Sequence, residues 1–351
     1  MTSSGINGRK RRVLRLLWLA VVAAVWAGCG DGRTAVTVYS PHGRDLLQLM
    51  ESAYEAQNPE IDIRWLDMGS QEVYDRIRSE RANPQATVWF GGPAALFSRA
   101  AEEGLLRTFV PTWSSAVEDQ AKDPDGRFIA LYRTPPLLVF NREAVLAEEA
   151  PTDWSDLLDE RWAGEVIIRD PLASGTMRTI FGGVLARAVT ADGSEDAGWS
   201  FLRSLDSQTK EYVHSPALLH EKLIRQEGLV TVWEMTDILS LVNRGAPIDF
   251  RFPTSGTPVI ADSVALVDQA PEQEAAEAFV EWLGSEEALG LAAAEAFRLP
   301  ARTDIPAASL PPWSERVLDE LVSEEVDWDL IEERGADWMT TWDREVRGQG
   351  P

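Results

Sequence analysis

The sequence predicts an α/β protein of two domains built on mainly parallel sheets. Three observations carry this expectation. Strand-like runs alternate with helix-period segments three times in succession between residues 35 and 103. At 351 residues the chain is long enough to bury two hydrophobic cores. Further along, extended runs on either side of Arg133-Thr134-Pro135-Pro136, and again at 247–252, read as crossovers between the domains.

Residues 1–28 read as a signal peptide rather than as part of the fold. Arg9-Lys10-Arg11-Arg12 and Arg15 make a basic head, and 16–27 is an apolar run of signal-peptide length, short for a bilayer span. The run closes on Ala27-Gly28-Cys29. Cys29 is the only cysteine, so no internal disulfide can form. Ala-Gly-Cys in this setting resembles the bacterial lipobox, although Trp26 stands where that motif usually has Leu. The resemblance implies lipidation of Cys29 and a membrane tether through a linker at 29–33. A plain signal peptide and an uncleaved anchor are the alternatives.

The first domain opens on 35–40, a strand by alternation and β-branching. Pro41-His42-Gly43 turns, and 44–58 sets Leu46, Leu47, Met50, Ala53 and Tyr54 at helical spacing. Segment 61–66 is a second strand, Met68-Gly69-Ser70 a loop, and 71–82 a helix with Ser70 as its cap. Thr87-Val88-Trp89-Phe90 is a third strand, Gly91-Gly92-Pro93 a loop, and 94–103 a helix stopped by Gly104. Ligands of parallel α/β sheets bind at the carboxyl ends of strands. The three loops found there are small, polar and glycine-bearing, and they are expected to converge on one edge.

In the second domain, 153–158 reads as a short helix and 165–169 as a strand. Helices follow at 176–189 and 197–205, and Ser215-Pro216 opens another that ends at Gly228. Segment 229–233 is a strand, 236–243 a helix and 259–267 strand material. Helices are expected at 275–283 and 285–296, a third crossing at Arg298-Leu299-Pro300, and a helical tail.

The candidate site centres on Asp170-Pro171-Leu172-Ala173-Ser174-Gly175-Thr176-Met177-Arg178. Ser174 can cap the helix that follows the strand, and Gly175 lets another group approach the backbone. Open N–H groups and the helix dipole then favour an anion, although an ordinary capped helix would carry the same residues. Arg178 near the first turn suggests a negative partner. Ser40, His42, Ser70, Gly91 and Gly92 stand at the other strand ends, with Arg44, Arg133 and Arg169 nearby. Such a set suits an oxyanion held by backbone N–H groups, hydroxyls and one or two cations. Trp89 reads as core, whereas Trp233 is balanced between core and pocket wall. Glu234 is a ligand candidate, with capping of the next helix assigned to Thr236 or Asp237.

Formal net charge is −24, which argues against nucleic acid or an anionic membrane surface as partner. The chain has no Gly-x-Ser-x-Gly elbow, Walker loop, Gly-x-Gly-x-x-Gly or His-Glu-x-x-His. His42 with Glu234 is the one acid–base pair that could be nominated for an enzyme, and a sensor domain on the same scaffold is a further alternative. The expectation is a binding protein without catalytic residues or cofactor.

Several blocks resemble the extracytoplasmic solute-binding proteins of bacterial ABC importers, in the cluster of ferric-iron, phosphonate, sugar-phosphate, thiamine and polyamine binders. They are Val38-Tyr39-Ser40, Val88-Trp89-Phe90-Gly91-Gly92, Asp170-Pro171-x-x-Ser174-Gly175-Thr176 and Arg244-Gly245-Ala246-Pro247-Ile248-Asp249. They continue with Gly256-Thr257-Pro258-Val259-Ile260 and Ala275-x-x-Phe279-Val280-x-Trp282-Leu283-Gly284-Ser285-Glu286. The resemblance implies a type II periplasmic-binding fold: two lobes hinged by crossover strands, with a small solute in the cleft and an ABC permease as partner. It implies a monomer in the cell envelope. Lobe 1 would hold 34–132 and 253–296, and lobe 2 would hold 133–252 and 297–351. Ferric binders of this type coordinate the metal through a tandem tyrosine pair, and the matching positions here are Met235 and Thr236. A hard trivalent ion wants anionic oxygen, so no metal ligand is assigned and iron is the alternative to an organophosphate or phosphonate.

Overall fold

The computed structural model describes residues 32–348. The segment expected to be a signal peptide, and Cys29, lie outside the described residues. The three expected units are present: β1 (Thr34–Ser40), α1 (Gly43–Gln57), β2 (Ile61–Asp67), α2 (Ser70–Ser79), β3 (Val88–Pro93) and α3 (Ala94–Glu102). On α1, Leu46, Leu47, Met50 and Tyr54 are buried, the stripe that the spacing requires. Strands β1 and β3 feed cores on both faces of their sheet. Val36, Val38, Val88 and Phe90 enter one cluster, and Tyr39 and Trp89 enter the other. A strand covered on both sides needs apolar residues at successive positions, as at Val38-Tyr39 and Val88-Trp89-Phe90.

After β4 (Leu106–Arg107), strand β5 (Ile129–Thr134) ends the first pass through this sheet, and β6 (Pro136–Asn141) begins the second sheet. The chain therefore changes sheets at Pro135. The second unit continues with β7 (Val166–Arg169), α4 (Gly175–Asp192), α5 (Asp196–Gln208), β8 (Thr209–Val213), α6 (Pro216–Ile224), β9 (Val230–Glu234), α7 (Met235–Asn243) and β10 (Ile248–Arg251). The short helix expected at 153–158 is a 3-10 turn, Trp154–Leu158, closed by a capping box between Asp153 and Asp156.

The chain returns through β11 (Thr257–Pro258) to β12 (Ile260–Val267), followed by α8 (Gln273–Leu283), α9 (Glu286–Ala296) and β13 (Leu299–Pro300). It closes with α10 (Pro312–Glu320), β14 (Ser323–Glu324) and α11 (Trp328–Glu345), the helical tail. On α11, Trp342 packs edge-on against Phe181 and Tyr212 in the core of the second sheet.

Among the described residues the first sheet has the order β13-β5-β12-β3-β1-β2, with β4 beside β12, and the second β10-β6-β9-β7-β8. Both are mixed rather than mainly parallel. Strand β1 runs parallel to β2 and β3, but β12 is antiparallel to β3 and β5. Likewise β7 is parallel to β8 and β9, while β6 is antiparallel to β9 and β10. Strands β6 and β12, by which the chain enters each sheet from the other, run against the strand–helix units, whereas β5 and β10, by which it leaves, run with them. Segment 297–303, expected with the second lobe, pairs with the first: Leu299 and Pro300 face Arg133 and Tyr132, and Ala301 donates its N–H to Leu131 O.

Candidate functional site

A cleft of ≈ 380 Å³ lies between the sheets. From the first sheet it is lined by the β1, β2 and β3 ends at Pro41–Gly43, Gly69–Ser70 and Gly92–Pro93. The second sheet contributes Arg169, the start of α4 at 173–176, Pro216 at the start of α6, and Trp233, Glu234 and Asp237. Thr134, Ile260, Asp262 and Arg298 line it where the chain crosses between the sheets.

One side of the cleft is made of helix starts. The Ser174 side chain caps α4 by accepting the Met177 N–H at 3.2 Å. The N–H groups of Gly175 and Thr176 then have no acceptor within their own helix. Opposite them begins α2. Its N-cap is Gly69, and Ser70 makes no capping bond, so the cap expected of Ser70 is not there. A Cβ on Gly175 would come within 3.0 Å of Ser70 Oγ, so the two helix starts nearly touch and a side chain between them would hold them apart. Arg169, 7% exposed, stands behind α4. Its guanidinium donates to Val213 O and Ala173 O at 3.0 Å each, and its Nε has no partner.

The other side is made of carboxylates. Asp262 Oδ1 accepts the Gly92 N–H at 2.6 Å, while Oδ2 lies 3.6 Å from both His42 Nε2 and Arg298 Nη1. Burial pushes the Asp262 carboxyl up to about 6, against the opposing pull of Arg298 and the Gly92 N–H. Burial also holds the His42 imidazole well below its ordinary range, and Arg298 adds to this, so His42 is neutral near pH 7. His42 packs edge-on against Phe90 and Tyr132, with ring centroids 4.6 and 5.8 Å away. Glu234 caps α7 through the N–H groups of Thr236 and Asp237 at 3.0 and 3.1 Å. Burial raises the Glu234 carboxyl, and the charge of Asp237 raises it further. Asp237 accepts the Trp233 indole N–H at 2.8 Å, which fixes Trp233 as a wall of the cleft.

Of the residues singled out in the sequence, the cleft gathers His42, Ser70, Gly92, Ser174, Gly175, Thr176, Trp233 and Glu234. Three others lie elsewhere. Ser40 is fully buried and braces the turn by accepting the His42 N–H. Gly91, at φ +103°, gives the His42 ring its room: a Cβ there would sit 2.3 Å from His42 Nε2. Arg178 lines a neighbouring groove with Arg99 and Glu332 and donates to Leu172 O at 3.4 Å. It is one turn too far along α4 to share the cap's position. Trp89 is core, stacked on Phe97 at 3.9 Å. The cap of α7 is Glu234, not Thr236 or Asp237, because the helix starts at Met235.

Sequence reasoning missed Asp262, Arg298 and Thr134 as cleft residues. Arg298 had a signal, being the one basic residue at the third crossing. Asp262 had none, because an acid inside a strand pattern reads as an ordinary solvent-facing position. The positions where ferric binders have tyrosines, Met235 and Thr236, are both buried at the start of α7. Among the described residues no group of three or more His, Cys, Asp and Glu is arranged to hold a metal ion. A cation between His42, Tyr132 and Asp262 would meet Arg298, whose guanidinium lies 5.9 Å from the Tyr132 ring centroid.

A family model described as a bacterial extracellular solute-binding protein matches residues 93–333, more than half of the chain. A Sinorhizobium fredii protein named as an ABC transporter periplasmic-binding protein is 28% identical over 329 residues, 93% of this chain and 90% of that one. A Salmonella typhimurium periplasmic protein named for 2-aminoethylphosphonate binding is 26% identical over 310 residues, 84% of this chain and 86% of that one. Among solved structures, the periplasmic binding protein AfuA of Actinobacillus pleuropneumoniae, with fructose-6-phosphate bound, aligns with a TM-score of 0.76. It is 23% identical, and the alignment covers 91% of this chain and all of that one. Iron-bound HitA of Pseudomonas aeruginosa aligns at 0.75 with 18% identity, over 89% and 99% of the two chains. The two likenesses establish a shared two-lobe fold.

Proposed function

This chain belongs to the bacterial extracellular solute-binding protein family, and we propose that it captures a phosphorylated or phosphonate solute in the interlobe cleft for delivery to an ABC permease. Binding proteins of ABC importers take up small solutes outside the cytoplasm and pass them to membrane subunits. The carrying observation is the meeting of the α2 and α4 N-termini across the cleft, with Ser70 against Gly175. Each helix start presents unpaired N–H groups and the positive end of its dipole. Two of them on one point, with hydroxyls from Ser70, Ser174 and Thr176 and the Arg169 guanidinium beside them, suit a group with several anionic oxygens.

The mechanism is capture and closure. The first sheet with its helices forms one lobe, and the second sheet with α11 forms the other. An oxyanion bridging Ser70 and residues 174–176 joins the lobes and favours the closed form, because it contacts both lobes only there. His42, Gly92, Trp233 and Glu234 shape the cleft around the rest of the solute. Lipidation at Cys29, as a monomer tethered to the cell envelope, completes the reading, and no cofactor takes part.

Native mass spectrometry with metal analysis, on protein purified without refolding, tests it. One organophosphate or organophosphonate per chain is expected. Stoichiometric iron with no phosphorus-bearing compound would overturn it.

A further inference from the structure

We propose that Arg347, just past the end of α11, is a positioning residue for the oxyanion: it takes up the charge of Asp170 and so leaves the Arg169 guanidinium to the ligand. This rests on the oxyanion reading above and adds a residue that lies outside the cleft.

Asp170 follows β7 and opens the loop that leads into α4. It is 2% exposed. Its backbone N–H donates to Val213 O, its Oδ1 accepts the Leu172 N–H at 2.9 Å, and its C=O accepts the Ala173 N–H at 3.1 Å. The same residue therefore folds the loop whose last members, Ala173 and Ser174, line the cleft. A carboxylate buried this deeply needs a cation beside it. Two arginines are at hand: its chain neighbour Arg169, and Arg347, 177 residues further on.

The structure divides the work between them. Arg347 Nη2 donates to Asp170 Oδ2 at 2.9 Å. Arg169 donates to the neutral carbonyls of Val213 and Ala173 instead, and its buried Nε is left without a partner. Its positive charge is thus not consumed by a hydrogen-bonded carboxylate, and Arg169 lines the cleft. The Asp170 charge still acts on Arg169, offsetting part of what burial takes from it. Arg347 is fixed in its place. Its Nη1 donates to Asp343 Oδ1 at 3.1 Å, and its guanidinium lies 5.5 Å from the ring centroids of both Tyr212 and Trp342. The Gly348 N–H donates to Asp206 Oδ1 at 3.0 Å, the oxygen that also accepts the Tyr212 hydroxyl. His214 Nδ1 is 3.4 Å from Asp170 Oδ2, but that ring is 77% exposed, where an ion pair contributes little. Without the Arg347 charge, the buried cation left to Asp170 is Arg169. A charge-assisted bond to Asp170 would draw that guanidinium off the Ala173 carbonyl and away from the ligand.

Calorimetric titration of the full, ligand-free chain with ethyl phosphate tests this in four forms, each checked for folding by circular dichroism and thermal melting. Arg347→Gln keeps a hydrogen-bond donor for Asp170 but removes the charge, and should bind at least about fivefold more weakly than wild type. Arg347→Lys keeps the charge and should stay within about twofold. The double variant Asp170→Asn with Arg347→Gln has no carboxylate to compete for Arg169, and its affinity should recover to within about twofold of wild type. A tail that merely braced the fold would show no such recovery. The double variant leaves no uncompensated charge at this position, so it keeps the test open should Arg347→Gln not fold. Wild-type affinity in folded Arg347→Gln would overturn the role of Arg347 alone, as would a folded double variant that binds at least about fivefold more weakly than wild type. Failure of wild type to bind ethyl phosphate would overturn the oxyanion reading and this inference with it.

Discussion

Replacing Asp262 with Asn should make the ligand-free protein more stable. The carboxyl is 7% exposed, and burial lifts it from 3.8 to about 6, so ionising it costs more in the folded chain than in the unfolded one. A difference of about two pH units corresponds to ~3 kcal/mol. The sign follows from the raised folded value. The penalty is nearly absent below about pH 4, grows as pH rises, and is complete above about pH 6. Asn keeps the oxygen that accepts the Gly92 N–H, so the strand contact survives. Arg298 loses the charge of its neighbour, but that attraction already enters the carboxyl's position. Urea denaturation should therefore find Asp262→Asn more stable than wild type by roughly 2–3 kcal/mol at about pH 7.5, and by only about 1 kcal/mol near pH 4.5. A variant less stable than wild type at the higher pH would refute the reasoning, as would a difference that does not change with pH.

Further outcomes follow from the same geometry. Gly91→Ala should destabilise by roughly 3–5 kcal/mol in denaturant titration, because it combines a strained positive φ with a methyl driven into the buried His42 ring. Arg169→Ala should weaken phosphate-ester binding by at least about tenfold in calorimetry, whereas Arg178→Ala should change it by less than about threefold. Ser174→Ala should cost ~1 kcal/mol of stability through the lost cap of α4.

What could be read from the sequence was mostly what is local. The cap at Ser174, the helix opened by Ser215-Pro216 and the glycine-bearing strand ends each follow from a few neighbouring residues. Their convergence on one cleft followed from the rule that ligands sit at the carboxyl ends of strands. What failed depended on pairing at a distance or on a boundary shifted by one residue. Asp262 and Arg298 are 3.6 Å apart but separated by a strand, two helices and a crossing. The acidic end of the cleft forms only after both sheets have assembled, so no local pattern announces it. The periodicity makes Ser70 a cap, but the helix starts one residue earlier, at Ser70 itself, and that shift leaves its hydroxyl for the cleft. The sheets proved mixed because the returning strand β12 enters against β3, a direction that strand patterning does not encode.

The central claim is that an oxyanion sits where α2 and α4 begin. Its most direct test is calorimetric titration of O-phosphoethanolamine into wild type and Gly175→Asp. Gly175 is the first residue of α4, and no positive φ makes that position glycine-specific. An Asp there would place a carboxylate at the helix start and in front of Ser70, where the phosphate is expected. It should leave the fold intact, with the dipole adding ~0.3–1 kcal/mol of stability. One-to-one binding to wild type is expected, and none detectable to the folded variant. Binding to Gly175→Asp as tight as to wild type would contradict it.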